Sequence, residues 1–118
     1  MEICVYYEKI NEDSIRINKV YSSSPTIEIP ELIDGYMVRE IADYCFSSKE
    51  VNLSNCILNR EIPSNYHVCS GVDVESVRLP STLKKLGNYA FYNCRMLKEV
   101  FLPSCIFISN FDIFLTLS

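Results

Sequence analysis

The one histidine of the chain, His67, stands two residues before Cys69. A thiol beside an imidazole is the minimum for a cysteine nucleophile, because a base must take the thiol proton. In extended chain, residues i and i+2 point the same way, so contact between the two is geometrically open. A working site also needs a third group to orient the imidazole, and no Asp or Asn is evidently placed for it. No catalytic role is expected of the pair. The six cysteines (Cys4, Cys45, Cys56, Cys69, Cys94, Cys105) include no Cys-x-x-Cys pair, the spacing that most often signals zinc. An even cysteine count in a short chain fits disulfides in a secreted protein, whereas free thiols are the rule in the cytosol. Three glycines leave no phosphate-binding loop. The chain is expected to carry no catalytic residue, no metal and no cofactor. Asn52-Leu53-Ser54 fits a glycosylation sequon, but Leu53 is expected in the core, so the match reads as chance.

The totals narrow the function classes. The 118 residues suggest one domain, 1–118, and 48% hydrophobic with 22% charged residues is ordinary for a folded chain. The formal net charge of −4 argues against nucleic acid, which needs a basic face to neutralise phosphate. It argues equally against charge-driven docking to an anionic membrane. No apolar run reaches the roughly 18 residues needed to span a bilayer. Met1-Glu2-Ile3-Cys4 lacks the basic and apolar regions of a signal peptide. As written the chain reads as cytoplasmic, with a trimmed leader as the alternative.

The residues that remain are organised by a repeat. Val77-Arg78-Leu79-Pro80-Ser81 recurs as Val100-Phe101-Leu102-Pro103-Ser104, 23 positions on. Lys49-Glu50-Val51-Asn52-Leu53 echoes Lys98-Glu99-Val100-Phe101-Leu102 at four of five positions. Ile27-Glu28-Ile29-Pro30 has the character of Val77-Arg78-Leu79-Pro80. Ile41-Ala42-Asp43-Tyr44-Cys45-Phe46 parallels Leu86-Gly87-Asn88-Tyr89-Ala90-Phe91. Leu86 breaks the register forward, because it maps to Ser109 while the apolar Ile108 comes one place early. A period in the twenties belongs to stacked repeats, each too poor in apolar residues to bury itself alone. In a short strand the side chains alternate, so Val77 and Leu79 point into the stack and Ser76 and Arg78 point out. The proline that follows lacks a donor and ends the strand.

Residues 79–100, Leu-Pro-Ser-Thr-Leu-Lys-Lys-Leu-Gly-Asn-Tyr-Ala-Phe-Tyr-Asn-Cys-Arg-Met-Leu-Lys-Glu-Val, resemble one full repeat of the bacterial BspA-like leucine-rich-repeat family. The family pattern is LPxxLxxIGxxAFxxCxxLxxV, and Leu86 stands where the family has isoleucine. The resemblance is closest over 77–103, fair over 27–53, weak over 54–76 and partial over 104–118. It implies an α/β-type repeat solenoid: a short right-handed leucine-rich-repeat stack with parallel strands and little regular helix. It also implies the setting of such domains, bacterial surface or secreted proteins that bind other proteins.

The ends depart from the repeat. Ile3, Val5 and Tyr7, then Ile15 and Ile17, alternate about the turn Asn11-Glu12-Asp13-Ser14. Residues 1–25 therefore read as an N-terminal β-hairpin cap on the repeats of 26–118, the last of them incomplete. At the other end Phe107, Phe111, Phe114 and Leu115 form an apolar face. Either they fold back over the stack or they meet a second copy in a homodimer. Cys56, Thr82 and Cys105 each follow a strand leucine by three residues, so Cys56 and Cys105 are expected two rungs apart and unbridged. Cys94 and Cys45 are expected as small buried hydrophobes. The outward strand positions, Glu28, Glu50, Asn52, Ser76, Arg78, Glu99 and Phe101, form the expected protein-binding face. The expected function is non-catalytic protein binding by a partner of unknown identity. The alternative is a structural or self-associating piece of a longer surface repeat protein.

Overall fold

The computed structural model describes residues 2–104 and 106–108. The chain opens with the expected hairpin, β1 (Cys4–Lys9) antiparallel to β2 (Ser14–Ser22), with a bulge between Tyr6 and Tyr7. Its turn closes through Ile10 N–H donating to Ser14 O at 2.9 Å. Next come β3 (Thr26–Glu28) and the small hairpin of β4 (Leu32–Ile33) and β5 (Tyr36–Ile41). Asp34 and Gly35 turn between β4 and β5 with φ of 54° and 84°, a conformation open to Asp and Gly and closed to most residues. The remaining strands are β6 (Ile57–Leu58), β7 (His67–Val68), β8 (Ser76–Arg78), β9 (Lys85–Leu86), β10 (Glu99–Phe101) and β11 (Phe107–Ile108). There is no helix among the described residues.

Two ladders carry the stack. The smaller sheet is parallel throughout, in the order β10-β8-β3, with Ile27, Val77 and Val100 in register. The larger sheet runs β11-β9-β5-β2-β1-β6, and the steps from β11 through β2 are parallel. Ile41 lies beside Leu86, and Leu86 beside Ile108. The apolar Ile108 thus keeps the register where the 23-residue shift had pointed to Ser109, and Phe107 falls opposite Lys85, one place from the Lys84 position its spacing suggested. Between the sheets each rung turns through a tight bend. Phe46 stacks on Phe91 at 5.0 Å with planes 1° apart, and Tyr44 on Tyr89 at 5.2 Å. Phe46 N–H donates to Ala90 O at 2.8 Å, so the backbone is bonded from rung to rung here too.

The expectation of a purely parallel stack is corrected in two places. The first is the hairpin, which adds antiparallel strands to the larger sheet. It caps by imitating a rung: Ile15 and Ile17 stand beside Val38 and Ile41, and all four are buried. The second is Val51-Asn52-Leu53, which forms no rung. β3 pairs directly with β8, and nothing lies between them. The stretch from Ser48 to Val68 instead leaves the stack and edges the cap, and the chain rejoins the stack by Gly71, whose O accepts Met96 N–H at 3.2 Å. In that stretch β6 pairs antiparallel with β1 and β7 with the end of β2. A hairpin alone would leave the backbone groups of β1 open on its outer side, and an exposed edge invites unwanted pairing. Covering it outweighs one more weak rung. Cys56 therefore leaves the ladder on which it was expected. It sits half-buried near Glu8 and Arg16, and burial raises its thiol, with Glu8 adding to the shift and Arg16 opposing it. Cys105, its expected distant neighbour, lies outside the described residues.

One buried cation ties cap to stack. Lys19 is nearly inaccessible, and its ammonium donates to Tyr44 O at 2.8 Å and Ser47 O at 2.6 Å. Burial lowers its pKa from the ordinary lysine value. On the outer face of the larger sheet, Glu8, Arg16, Glu40 and Lys85 form a cross-strand row of alternating charge. Arg16 reaches Glu40 at 3.1 Å and Glu8 at 3.8 Å.

Candidate interaction face

The outward side of the three-stranded sheet gathers most of the expected binding residues. Parallel register sets them in two rows, Thr26–Ser76–Glu99 and Glu28–Arg78–Phe101. Between the rows Ile27 and Val77 are fully buried and Val100 is half-buried. The inward branched side chains fix which way the strand faces, because a one-residue slip would send them all to water. Glu28, Arg78 and Glu99 are exposed, and Ser76 is half-buried.

Phe101 is 39% exposed, and the Arg78 guanidinium lies over its ring, 4.3 Å from the centroid. Such a pairing holds the ring in place at a modest gain, on the order of 0.5–1 kcal/mol at an exposed site. Beside them a shallow groove of about 330 Å³ is lined by Arg78, Lys84, Ser81, Phe101, Leu102 and Pro103, among others. Ser81 Oγ donates to Glu31 at 2.7 Å. The face thus combines a fixed aromatic with cations close by and carboxylates at either end.

Two of the expected residues are elsewhere. Glu50 and Asn52 belong to the segment that leaves the stack. Asn52 Oδ1 accepts the Ser54 N–H at 2.9 Å in a local turn, and Glu50 borders a separate cleft with Lys19, Tyr21 and Lys49. They fail as face residues because β3 and β8 close on each other. The structure adds three residues that strand alternation had not singled out. Thr26 completes the first row, two places before Glu28. Lys84 reaches the groove from the turn after β8. Leu102, equivalent to the buried Leu79, was expected inside yet is 40% exposed. The difference is position in the stack: Leu79 is covered by β10, and no strand among the described residues lies beyond β10 in that sheet.

The cysteine–histidine pair resolves against nucleophilic chemistry. Asp73 does approach the imidazole, 3.9 Å from His67 Nε2, an orienting group not evident in the sequence. Cys69, however, is buried, and burial pushes its thiol up to about 12. A nucleophilic cysteine needs the opposite shift. Cys94 is likewise pushed up to about 12, and its thiol donates to Phe46 O at 3.2 Å. Cys45 is raised further by its complete burial. All five described cysteines are unbridged, and no group of three metal-ligating side chains occurs among the described residues.

Comparisons with known proteins agree with this architecture. Residues 61–116 match the model described as BspA type leucine rich repeat region (6 copies). No curated protein matches. Among solved structures, the chain is similar to the crystal structure of the T. pallidum leucine rich repeat protein. The TM-score is 0.65 and the identity 24%, over 88% of this chain and 39% of that one. At that identity the likeness is one of fold, and the chain spans well under half of that neighbour's length. Residues 61–116, which include β8 and β10 of the interaction face, match the BspA-type leucine-rich-repeat family.

Proposed function

We propose that the chain is a non-catalytic protein-interaction module whose partner docks on the outward face of the three-stranded sheet. Leucine-rich repeats in general mediate protein interaction, and their families are generally non-enzymatic. The observation that carries the finer reading is the row Glu28–Arg78–Phe101. It presents a half-exposed aromatic, steadied by a cation, on a rigid parallel ladder. Binding energy at protein interfaces concentrates in such anchors, with Arg and aromatic residues prominent. Glu28, Ser76, Glu99 and Thr26 would form the polar surround. The reading is tested with a photo-crosslinking residue at Ser76, which marks whatever protein docks there. Phe101→Ala is expected to weaken capture of that same protein at least about tenfold, the size of a hot-spot truncation. Undiminished capture by the variant would sink the reading.

A second reading has one observation in its favour. The chain ends in the apolar segment that holds Phe107, Phe111, Phe114 and Leu115, the kind of surface a second copy could cover. Of the residues proposed for that contact, Phe111, Phe114 and Leu115 lie outside the described residues, and Phe107 is placed by its backbone pairing alone. Light scattering over a range of concentrations distinguishes a dimer from a monomer.

A further inference from the structure

The two sheets do not end together on the N-terminal side. The larger sheet continues past β5 through β2, β1 and β6, whereas among the described residues the smaller one stops at β3. The hairpin imitates the missing rungs on one side of the stack only. A cleft of about 450 Å³ is left beside β3, lined by Glu2, Ile3, Ser24, Thr26, Glu28 and Pro30.

Backbone direction makes this cleft specific. Pro25 O accepts Glu75 N–H at 2.8 Å, and Ile29 N–H donates to Arg78 O at 2.9 Å. In a strand, alternate residues bond to opposite sides. Residues 25, 27 and 29 therefore face β8, and Thr26 and Glu28 turn their backbone groups toward the cleft. At Thr26 the chain answers its own edge. The Ser24 hydroxyl accepts Thr26 N–H at 3.1 Å and donates to Thr26 O at 3.2 Å. Glu28 has no such latch.

We propose that this cleft takes an extended basic segment of a partner protein as an added strand beside β3. Main-chain bonds to Glu28 supply affinity, as in other cases of strand addition. The charged residues lining the cleft, Glu2 and Glu28, are both acidic and select lysine or arginine at alternate positions of the incoming strand. Ser24 is the latch that the strand displaces. A second copy of the chain is disfavoured as occupant, because its own β3 edge would bring another Glu2 and Glu28 to an already acidic cleft. The cleft borders the outward face and shares Thr26 and Glu28 with it but not Phe101, so Phe101→Ala leaves the cleft intact and separates the two readings.

The probe is a fluorescent peptide of about eight residues alternating lysine and valine, with a glutamate–valine counterpart, titrated with the full chain by anisotropy. The lysine peptide is expected to bind and the glutamate peptide not to. Ser24→Ala frees Thr26 and is expected to tighten binding about tenfold, the worth of about one hydrogen bond. Glu28→Pro removes an N–H that faces the cleft rather than β8, and is expected to weaken binding by a similar factor. Glu2→Lys with Glu28→Lys is expected to exchange the preference to the glutamate peptide, and this carries the test should Glu28→Pro fail to fold. Preference for the glutamate peptide by the wild type overturns the proposal. So does failure of the lysine peptide to bind, or binding of equal strength to Ser24→Ala and the charge-reversed protein.

Discussion

Lys19 shows how much one side chain can hold at the junction of cap and stack. Its ammonium satisfies Tyr44 O and Ser47 O, two carbonyls in the first turn of the first rung. Lys19→Met would keep the apolar stem and leave both carbonyls without that donor. Two unmet buried acceptors cost about 2–4 kcal/mol, and this outweighs the relief of no longer burying a charge. Urea unfolding is expected to show that loss, and a variant as stable as the wild type would refute the account. The same scale explains why His67 and Cys69 drew attention in the sequence and yet are not placed as a nucleophilic pair, the imidazole being exposed and the thiol buried. Spacing could suggest that they meet. Only the environment of the thiol, buried and raised to about 12, decides what it can do.

At the scale of elements, rung stacks on rung through matched turns. Gly87 donates its N–H to Ile41 O at 2.8 Å, and the next N–H, that of Asn88, reaches Asp43 Oδ1 at 2.7 Å. A Cβ at Gly87 would lie 2.5 Å from Ala42 C and Asp43 N, both backbone atoms that cannot swing aside. Gly87→Ala is therefore expected to cost about 1–3 kcal/mol by forcing the rungs apart. A lowered urea midpoint with unchanged slope would show it, and an unchanged midpoint would mean the rungs are looser than drawn. This stacking was legible in the sequence, because Ile41 to Phe46 repeats Leu86 to Phe91 in type and spacing. The departure of Val51-Asn52-Leu53 was not legible. Four of five residues matched a true strand, yet local pattern carries no information about a hairpin edge elsewhere that needs covering. Glu50 and Asn52 were lost from the face for that reason.

For the whole molecule, buried thiols govern the response to alkali. Cys45, Cys69 and Cys94 all have thiols raised by burial above the ordinary value of 9.0. Tyr7, desolvated by burial and bonded to Asp34, is raised to about 12. A raised acid is protonated in the fold when the unfolded chain has already lost its proton. Its stabilising share is complete below about pH 9 and is lost as the pH climbs toward 12. Lys19, lowered by burial, pulls the other way below 10.5, but it is one group against these and against Tyr21 and Cys56, which burial also raises. Each thiol contributes a slope of at most about 1.4 kcal/mol per pH unit. Stability measured in urea is expected to fall between pH 9 and pH 11, and Cys69→Ala is expected to flatten that fall. An equally steep curve in the variant would show that other groups are responsible.

The sequence by itself determined the repeat, its likeness to BspA-type repeats, the hairpin and the inward residues of β3 and β8. These follow from spacing and alternation, which are local properties: Ile27, Val77, Phe46 and Phe91 are buried because their periodicity leaves no other face. The tertiary structure alone decided which rungs meet. It joined β3 to β8 across a long excursion, sent Ile57–Leu58 and His67–Val68 to edge the cap, and left β3 open beside Glu2 and Ile3. The reason is physical: strand edges and buried carbonyls are satisfied over the whole chain at once, and their partners can lie fifty residues away or more, as Ile3 O and Arg60 do.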